Sequence, residues 1–474
     1  MNLTRLCRTS LERVDPASLS IFRVTFGVLL VLETVRFFAY GWIGDFYLSP
    51  QFLFKYHGFE WVTPWPGSAL YWHFGVMGVC AVMIAVGFFY RIAAIGFLLS
   101  FGYVFLLEQA TYLNQYYLVL TVAFVLCFVP AERGWSVDAR RARSSATPGV
   151  PRWTIWALRL QFEVMLLYAG LVKINADWLR GEPLGLWFAD YAELPLIGFW
   201  LRQPWFSVGA AWAVVVLHLA GALLLLHRRY RSAVFVVYVG FHLISSILFT
   251  IGLFPWLTLA GTLLFFDADW PKQMWSRLEG THRVTAQRPP IQAHCAAPRV
   301  LTYVSLGMFF ALQLLIPLRF LLYPGNVAWT GEGEWFAWRM KLDDKRAHIR
   351  FIVTESENGT RWEVDPRHHL RPTQLEIMAP RPDMIIQFAK HLERIWVKRE
   401  GIQDVEVRAL VMSSLNGRPA APLVDPHTDL TSVSRTFRHY DWILPLPATK
   451  PVHQTRQRIE LERQEASSGG EGVR

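Results

Sequence analysis

Charged residues are scarce in this chain of 474 residues. Asp, Glu, Lys and Arg make up 18% of it, whereas hydrophobic residues make up 53% and aromatic residues 15%. A soluble globular domain typically carries about 25% charged residues. The deficit argues against an ordinary soluble protein and predicts a membrane protein with an attached polar part.

Paired cysteines and recognisable cofactor motifs are also missing. The four cysteines are far apart and form no CxxC pair, which argues against a zinc site and a disulfide framework; they are Cys7, Cys80, Cys127 and Cys295. We find no glycine-rich phosphate loop, flavin fingerprint or CxxCH haem motif. A redox role would therefore need a diffusible cofactor, and a lipid-soluble quinol suits an aromatic membrane protein.

The charge that is present indicates neither a metal site nor a nucleic-acid partner. The net charge is +10, but no phosphate-cradling glycines accompany the basic loops. His368 and His369 lie close to Asp365, yet neighbouring residues of a strand point to opposite faces of a sheet. We expect no bound metal and no nucleic acid.

Long apolar segments are abundant, and they predict about nine membrane spans. The first, at 21–40, is too long for a signal-peptide core and lacks a small-residue cleavage site, so we expect a retained anchor. Several others are shorter than the roughly 20 residues that a spanning helix needs. The nine segments are 18–39, 70–89, 92–107, 117–129, 153–172, 206–226, 233–249, 253–266 and 301–322.

Basic residues alternate between successive loops, which predicts the topology. They are concentrated before the first span and after the second, fourth, sixth and eighth, whereas the other loops hold almost none. By the positive-inside rule the N-terminus is cytoplasmic. An odd number of spans then exports the chain after residue 322.

The exported part is predicted to be a β-rich, sandwich-like domain. Residues 335–342, 348–354, 360–364 and 405–415 have the composition of strands, and Asn416-Gly417 is a turn signal. A helix is expected at 381–399, with apolar residues at every fourth position from Met384 to Trp396. We therefore predict a transmembrane helical domain at 1–322, an extracytoplasmic β-rich domain at 323–450 and a disordered tail at 451–474.

Lys173 ends the apolar run of the fifth span, within the stretch YAGLVKINADW at 168–178. One interpretation is a lysine that extends to the membrane interface, with an aromatic belt residue behind it. The other is a desolvated amine that its surroundings keep neutral and that acts as a base. The long outer loops 41–66 and 175–204 lie on the same predicted side and would roof a chamber there.

Other polar residues occur inside or beside the apolar segments. His242 is either a hydrogen-bond partner between helices or part of a functional site. Glu163 and Arg159 either form an internal ion pair or have a structural role. Asn114 and Gln115 belong to a polar hinge between two short spans, of a kind tolerated only where it is buried in protein or lines a cavity.

Several of these segments together resemble the vitamin K-dependent γ-glutamyl carboxylase family, in its bacterial form with an HTTM domain. The likeness runs in order from about residue 18 to 447. The matching segments are FRVTFG at 22–27, YRI at 90–92, YVFLLE at 103–108, LNQYYL at 113–118, WSVD at 135–138, the lysine stretch at 168–178, 241–252, WRM at 338–340 and VDP at 424–426.

The resemblance implies a two-stage reaction in a bacterial cytoplasmic membrane. A neutral lysine, matched by Lys173, deprotonates vitamin K hydroquinone or a related menaquinol. Oxygenation of the quinol to its epoxide generates a strong base, which removes a γ-proton from glutamate in an exported peptide, and CO2 adds to the carbanion. Polar residues that contact the quinol or line its chamber would be His242, Gln115, Asn114, Asn175 and Asp177.

Three positions depart from the family's animal members. Gln115 replaces a histidine, so a hydrogen bond can survive there but a proton transfer cannot. In the peptide-substrate region that follows Trp338, Asp343 and Lys345 stand where those members carry a histidine and an arginine, and an aspartate would repel a glutamyl side chain.

Three functional hypotheses follow. The first, which we favour, is a quinol-dependent γ-glutamyl carboxylase of exported peptides, with O2 and CO2 as co-substrates. The second is a quinol epoxidase or oxidase that uses Lys173 without carboxylation. The third is a non-catalytic membrane maturation factor that holds an exported client.

Overall fold

The computed structural model describes residues 10–142, 149–249, 251–280, 300–400 and 404–449, without the side chains of residues 399 and 400. The predicted tail at 451–474 lies outside them. The described residues form two compact units. Among the described residues, the helical unit draws on the ranges 10–49, 58–142, 149–167, 219–249, 251–280 and 300–316, and the mixed unit on 50–57, 168–218, 317–400 and 404–449.

Each of the nine predicted apolar segments contains a helix. Helices of nine or more residues are numbered α1 Ala17–Ala39, α2 Ser68–Val86, α3 Tyr90–Leu107, α4 Asn114–Phe128, α5 Arg152–Leu171, α6 Pro204–Leu225, α7 Arg231–Leu248, α8 Phe254–Leu263, α9 Trp270–Leu278, α10 Val300–Leu315 and α11 Pro382–Glu400. A π-helical turn, Leu217–Gly221, interrupts α6, and a 3-10 turn, Ile316–Leu322, follows α10. The shorter helices are Val137–Arg141, Ala176–Leu179, Glu182–Ala189, Gly198–Leu201, Val327–Thr330 and Pro372–Met378.

Six helices in the described part of the chain are long and apolar enough to cross a membrane. They are α1, α2, α3, α6, α7 and Val300–Leu322. With 15 and 10 residues, α4 and α8 are short for a span of roughly 20. The total of about nine spans stays a prediction.

Arg23 and Asp138, both in segments that carry the family resemblance, hold the first helices of the helical unit together. Arg23 is fully buried and donates hydrogen bonds to the carbonyl oxygens of residues 84, 85, 131 and 135, at 2.6 to 3.1 Å. The last carbonyls of a helix have no partner within it, so Arg23 completes the end of α2. Asp138 accepts hydrogen bonds from the backbone amides of Phe89 and Tyr90 at the start of α3.

The described residues of the mixed unit form one antiparallel sheet. A separate short ladder in the helical unit pairs β1 Arg13–Val14 with β2 Val150–Pro151. The strands of the main sheet are β3 Lys345–Glu355, β4 Arg361–Val364, β5 Val405–Leu415 and β6 Ala421–Pro422, in the order β4-β3-β5-β6. β3 and β5 pair over their whole length, from Lys345 opposite Leu415 to Glu355 opposite Val405. The predicted strands at 348–354, 360–364 and 405–415, the turn at Asn416-Gly417 and the helix at 381–399 are confirmed.

Two predictions for this region are wrong. Residues 317–400 and 404–449 hold one sheet rather than a sandwich, because α11 packs its buried stripe of Met384, Phe388 and Leu392 against β5 and β3. Residues 335–342 are not a strand, because the backbone is left-handed at three of them. The φ angles there are 61° at Phe336, 55° at Trp338 and 43° at Lys341.

Candidate active site

Lys173 lies two residues beyond the end of α5, in a buried position of the mixed unit. The residue is only 5% exposed. Its Nζ donates hydrogen bonds to the carbonyl oxygens of Ala169, at 3.0 Å, and Met340, at 3.1 Å. The same atom lies 5.0 Å from the centre of the Trp178 ring. The amine therefore contacts two neutral acceptors and an aromatic face.

The charged groups near Lys173 do not fully compensate the positive charge of its protonated form. Burial lowers the pKa of Lys173 to about 7; the positive charge of Arg339 acts in the same direction and Asp343 acts against it. Among the described residues no carboxylate forms an ion pair with Lys173. The dominant cause is desolvation, which disfavours the charged form of an amine.

The hydrogen bonds of Lys173 suit a neutral amine. A neutral amine has two N–H donors and one lone pair, whereas an ammonium has three donors and none. The carbonyls of Ala169 and Met340 accept two N–H groups, so the lone pair of the neutral form stays available to receive a proton.

One of these carbonyls comes from a strained loop. Met340 lies between Trp338 and Lys341, two of the three left-handed non-glycine residues in this loop. Each such residue costs about 1–2 kcal/mol, and strain of this kind is concentrated at functional sites. The Trp338 side chain is fully buried, which holds the loop in place.

Asp343 and Lys345 lie in a charged cluster that also includes Glu334, Arg339 and Arg381. Lys345 Nζ donates to the carbonyl oxygens of Trp329 and, at 2.7 Å, Pro380. Burial raises the pKa of Asp343 to about 6; Glu334 adds to this effect, and Arg339, Lys345 and Arg381 oppose it. Arg381 pairs with Glu334 at 3.3 Å.

Asn175 and Asp177 serve local structure next to Lys173. Asn175 caps the short helix Ala176–Leu179: its side-chain oxygen accepts from the Trp178 amide at 3.0 Å. Asp177 accepts two hydrogen bonds from Arg418, at 2.7 and 2.8 Å. Burial acts to raise the pKa of Asp177, but the hydrogen bonds from Arg418 and Asn416 outweigh it and hold this pKa below its usual value.

The other three predicted site residues belong to the helical unit. The Asn114 side-chain oxygen accepts from the Tyr112 hydroxyl at 3.1 Å. The Gln115 amide packs against Gly252, where φ is 55° and a Cβ atom would approach Gln115 Nε2 to 2.9 Å; this position therefore requires glycine. His242 is 2% exposed, lies 6.2 Å from the Tyr238 ring centre, and neither of its ring nitrogens has a hydrogen-bond partner among the described residues.

Of the two alternatives for Glu163 and Arg159, the structure contradicts the ion pair and favours the structural role. Arg159 donates instead to the carbonyl oxygens of Leu264, at 2.7 Å, and Phe266, at 2.9 Å. Both carboxylate oxygens of Glu163 are buried without a hydrogen-bond partner among the described residues. The reason is that the free carbonyls at the end of α8 are within reach of the guanidinium.

Comparison with known protein families gives two matches that together cover most of the chain. The HTTM domain matches residues 11–270, and the lumenal domain of vitamin K-dependent gamma-carboxylase matches residues 298–449. The chain belongs to the vitamin K-dependent gamma-carboxylase family. It is thus a carboxylase-like membrane protein with a separate C-terminal domain, which the family describes as lumenal. No solved structure matches it.

Two parts of the candidate site in this carboxylase-family protein are not evident from the sequence. Nothing in the residues 335–342 indicates that a backbone carbonyl of this loop meets Lys173. Arg418 also gives no signal, because it is separated from Asp177 by 241 residues. The Asn416-Gly417 turn next to Arg418 could have marked the location, but not the partner. In the described ranges no group of three or more His, Cys, Asp or Glu residues could hold a metal ion.

Proposed function

We propose that this protein is a quinol-dependent γ-glutamyl carboxylase in which Lys173 is the base that deprotonates the quinol. The observation that supports this most directly is a buried lysine amine whose hydrogen-bond partners are two backbone carbonyls and no carboxylate. A lysine in water has a pKa near 10 and is a poor base at neutral pH. Burial lowers the pKa of the amine, so that more of it is in the neutral, proton-accepting form at neutral pH.

The residues around Lys173 fit a quinol headgroup. Such a headgroup needs a proton acceptor and an apolar or aromatic surface, which Lys173 Nζ and the Trp178 indole would supply. The indole is fixed, because its Nε1 donates to the Ala211 carbonyl at 3.1 Å. When bound, vitamin K hydroquinone or menaquinol would supply, on oxygenation by O2, the base needed to remove a γ-proton from peptide glutamate before CO2 adds.

The surroundings of Lys173 also support the protonated state that follows. Once Nζ has taken the proton, the Ala169 and Met340 carbonyls remain acceptors for two N–H groups, and the third lies near the negative face of Trp178. The lysine can thus hold the proton without a carboxylate partner. A permanent carboxylate partner would keep the lysine charged and would prevent its action as a base.

Quinol epoxidation without carboxylation is the second candidate, and Asp343 favours it. This carboxylate lies in the predicted peptide-substrate region, where it interacts with Arg339 and Lys345. It therefore offsets part of the positive charge that would bind a glutamyl side chain.

The test uses the full chain purified in detergent, supplied with vitamin K hydroquinone, O2, labelled bicarbonate and a glutamyl peptide. We compare wild type with Lys173→Ala and with Lys398→Ala, which removes an exposed lysine of α11 in the same unit. Loss of epoxide and label in Lys173→Ala alone, by about 100-fold or more, supports the carboxylase. Epoxide without label supports the second candidate. Neither product from folded wild type contradicts both and supports a maturation factor.

A further inference from the structure

The turn after β5 is bound to the chain segment that follows Lys173. Asn416 Nδ2 donates to Asp177 Oδ2 at 2.9 Å. Arg418 donates to both carboxylate oxygens of the same aspartate. Asp177 is four residues from Lys173 and one from Trp178, so these three bonds fix the segment that carries both the amine and the indole.

The same turn is bound to the chain segment on the other side of the amine. Asn416 N donates to the Asp344 carbonyl at 2.8 Å, and Asp344 N donates to Asn416 Oδ1 at 2.9 Å. Asp344 follows Asp343 and lies four residues after Met340, whose carbonyl accepts from Lys173. Asn416 therefore connects the two segments that meet at Lys173 Nζ.

The pair of Asp177 and Arg418 differs from an ordinary surface ion pair. Its side chains are 12% and 10% exposed, respectively, and two parallel hydrogen bonds join them. Arg350 and Glu363 also pair at 2.8 Å in the mixed unit, but they are 71% and 62% exposed. Two-point arginine–carboxylate pairs add geometric specificity, whereas exposed pairs contribute little.

We propose that Asn416 and Arg418 are positioning residues, which hold the Lys173 and Met340 segments together and thereby keep the amine buried. This inference rests on the proposed function of Lys173. The charged groups that interact with Lys173 are Arg339 and Asp343, and both lie in the segment that Asn416 connects. Loosening the turn admits water, so the amine becomes easier to protonate and less of it is in the neutral form that can accept a proton at neutral pH.

The experiment compares Arg418→Met, Arg418→Lys and Arg350→Met with wild type, all as full chains in detergent. The pH dependence of acetylation of Lys173 by acetic anhydride, followed by mass spectrometry, reports its protonation without relying on turnover. Amide hydrogen exchange of residues 172–180 is measured in the same samples. Arg180 and Asn416 still donate to Asp177 in Arg418→Met, so this variant is expected to fold.

We expect wild-type Lys173 to react with a midpoint near pH 7. In Arg418→Met the midpoint moves toward the ordinary value near 10, exchange of 172–180 quickens and carboxylation falls by about 10- to 100-fold. Arg418→Lys restores part of the midpoint, the exchange rate and the carboxylation rate, and Arg350→Met changes none of the three.

A wild-type midpoint and wild-type exchange in Arg418→Met would overturn the positioning role, whatever happens to activity. If wild-type Lys173 itself titrates near pH 10, the proposed base fails independently of Arg418. In that case amide hydrogen exchange alone tests the positioning role. Faster exchange of residues 172–180 in Arg418→Met than in Arg350→Met supports this role, and equal exchange in the two variants overturns it.

Discussion

Lys173 and Lys345 have nearly the same contacts within the mixed unit but different charged neighbours. Each amine donates to two backbone carbonyls, Ala169 and Met340 for the first and Trp329 and Pro380 for the second. Each also lies over an indole, at 5.0 Å from Trp178 and 5.8 Å from Trp329.

The difference lies in the electrostatics. Burial lowers the pKa of both lysines, to about 7 for Lys173 and about 8 for Lys345. Glu334, Asp343 and Asp383 raise the pKa of Lys345 and Arg381 lowers it, whereas Asp343 raises the pKa of Lys173 and Arg339 lowers it. The carboxylates around Lys345 therefore favour its charged form more than the surroundings of Lys173 do, which suits a structural cation at Lys345 and a candidate base at Lys173.

Replacement of each lysine by arginine gives the largest expected contrast. A guanidinium keeps its charge and its donors but cannot accept a proton at neutral pH. We predict that Lys173→Arg loses epoxide formation by about 100-fold or more, whereas Lys345→Arg loses much less. Epoxide assays on purified variants of equal thermal stability test this, and an active Lys173→Arg would eliminate the proposed base.

The pH dependence of the rate should follow Lys173 alone. A base must be deprotonated before it acts, so the rate rises with pH up to about 7 and then levels off. The slope below that pH is about tenfold per pH unit. Lys345→Met should keep this profile. An ascending limb centred near pH 10 would show that Lys173 is an ordinary lysine.

Stability should change with pH through Lys173. Burial lowers the folded-state pKa of Lys173 to about 7, below the unfolded value near 10.4. Between those values the unfolded chain binds more protons, so stability rises with pH; the full cost of burying the charge is present below about pH 7. Lys173→Met relieves this cost but leaves the Ala169 and Met340 carbonyls without a donor. We therefore predict that its effect on the melting temperature is more favourable at pH 6 than at pH 10.

Lys345→Met likewise leaves two carbonyls, of Trp329 and Pro380, without a donor, and it also removes a cation beside Glu334. An unsatisfied buried acceptor costs about 1–3 kcal/mol, and both variants share this cost, so the lost partner of Glu334 should give Lys345→Met the lower melting temperature of the two at pH 6. Equal melting temperatures of the two variants at pH 6 would mean that Lys173 is also a structural cation. Circular dichroism melts of detergent-solubilised protein distinguish these outcomes.

The contrast also shows how far the sequence could predict this site. Apolar periodicity located the helices and β5. The position of Lys173 at the end of an apolar run left two interpretations open, and the family resemblance made Lys173 the candidate base and placed Lys345 in the peptide-substrate region. The sequence did not indicate the carbonyl partners of either lysine, because these lie elsewhere in the chain. The left-handed backbone around Met340, which changed a predicted strand into a loop, depends on tertiary packing around the fully buried Trp338.

The smallest expected effect concerns the two indoles. Trp178 Nε1 donates to the Ala211 carbonyl and Trp329 Nε1 to the Leu444 carbonyl, at 3.1 and 2.8 Å. An aromatic face favours the charged amine by about 0.5–2 kcal/mol, and tryptophan does so more than phenylalanine. Trp178→Phe should therefore lower the pKa of Lys173 slightly and move the acetylation midpoint of Lys173 below its wild-type pH, while Trp329→Phe leaves it in place. An upward movement in Trp178→Phe would instead mean that the indole acts mainly by excluding water, because admitted water raises the pKa of a buried amine.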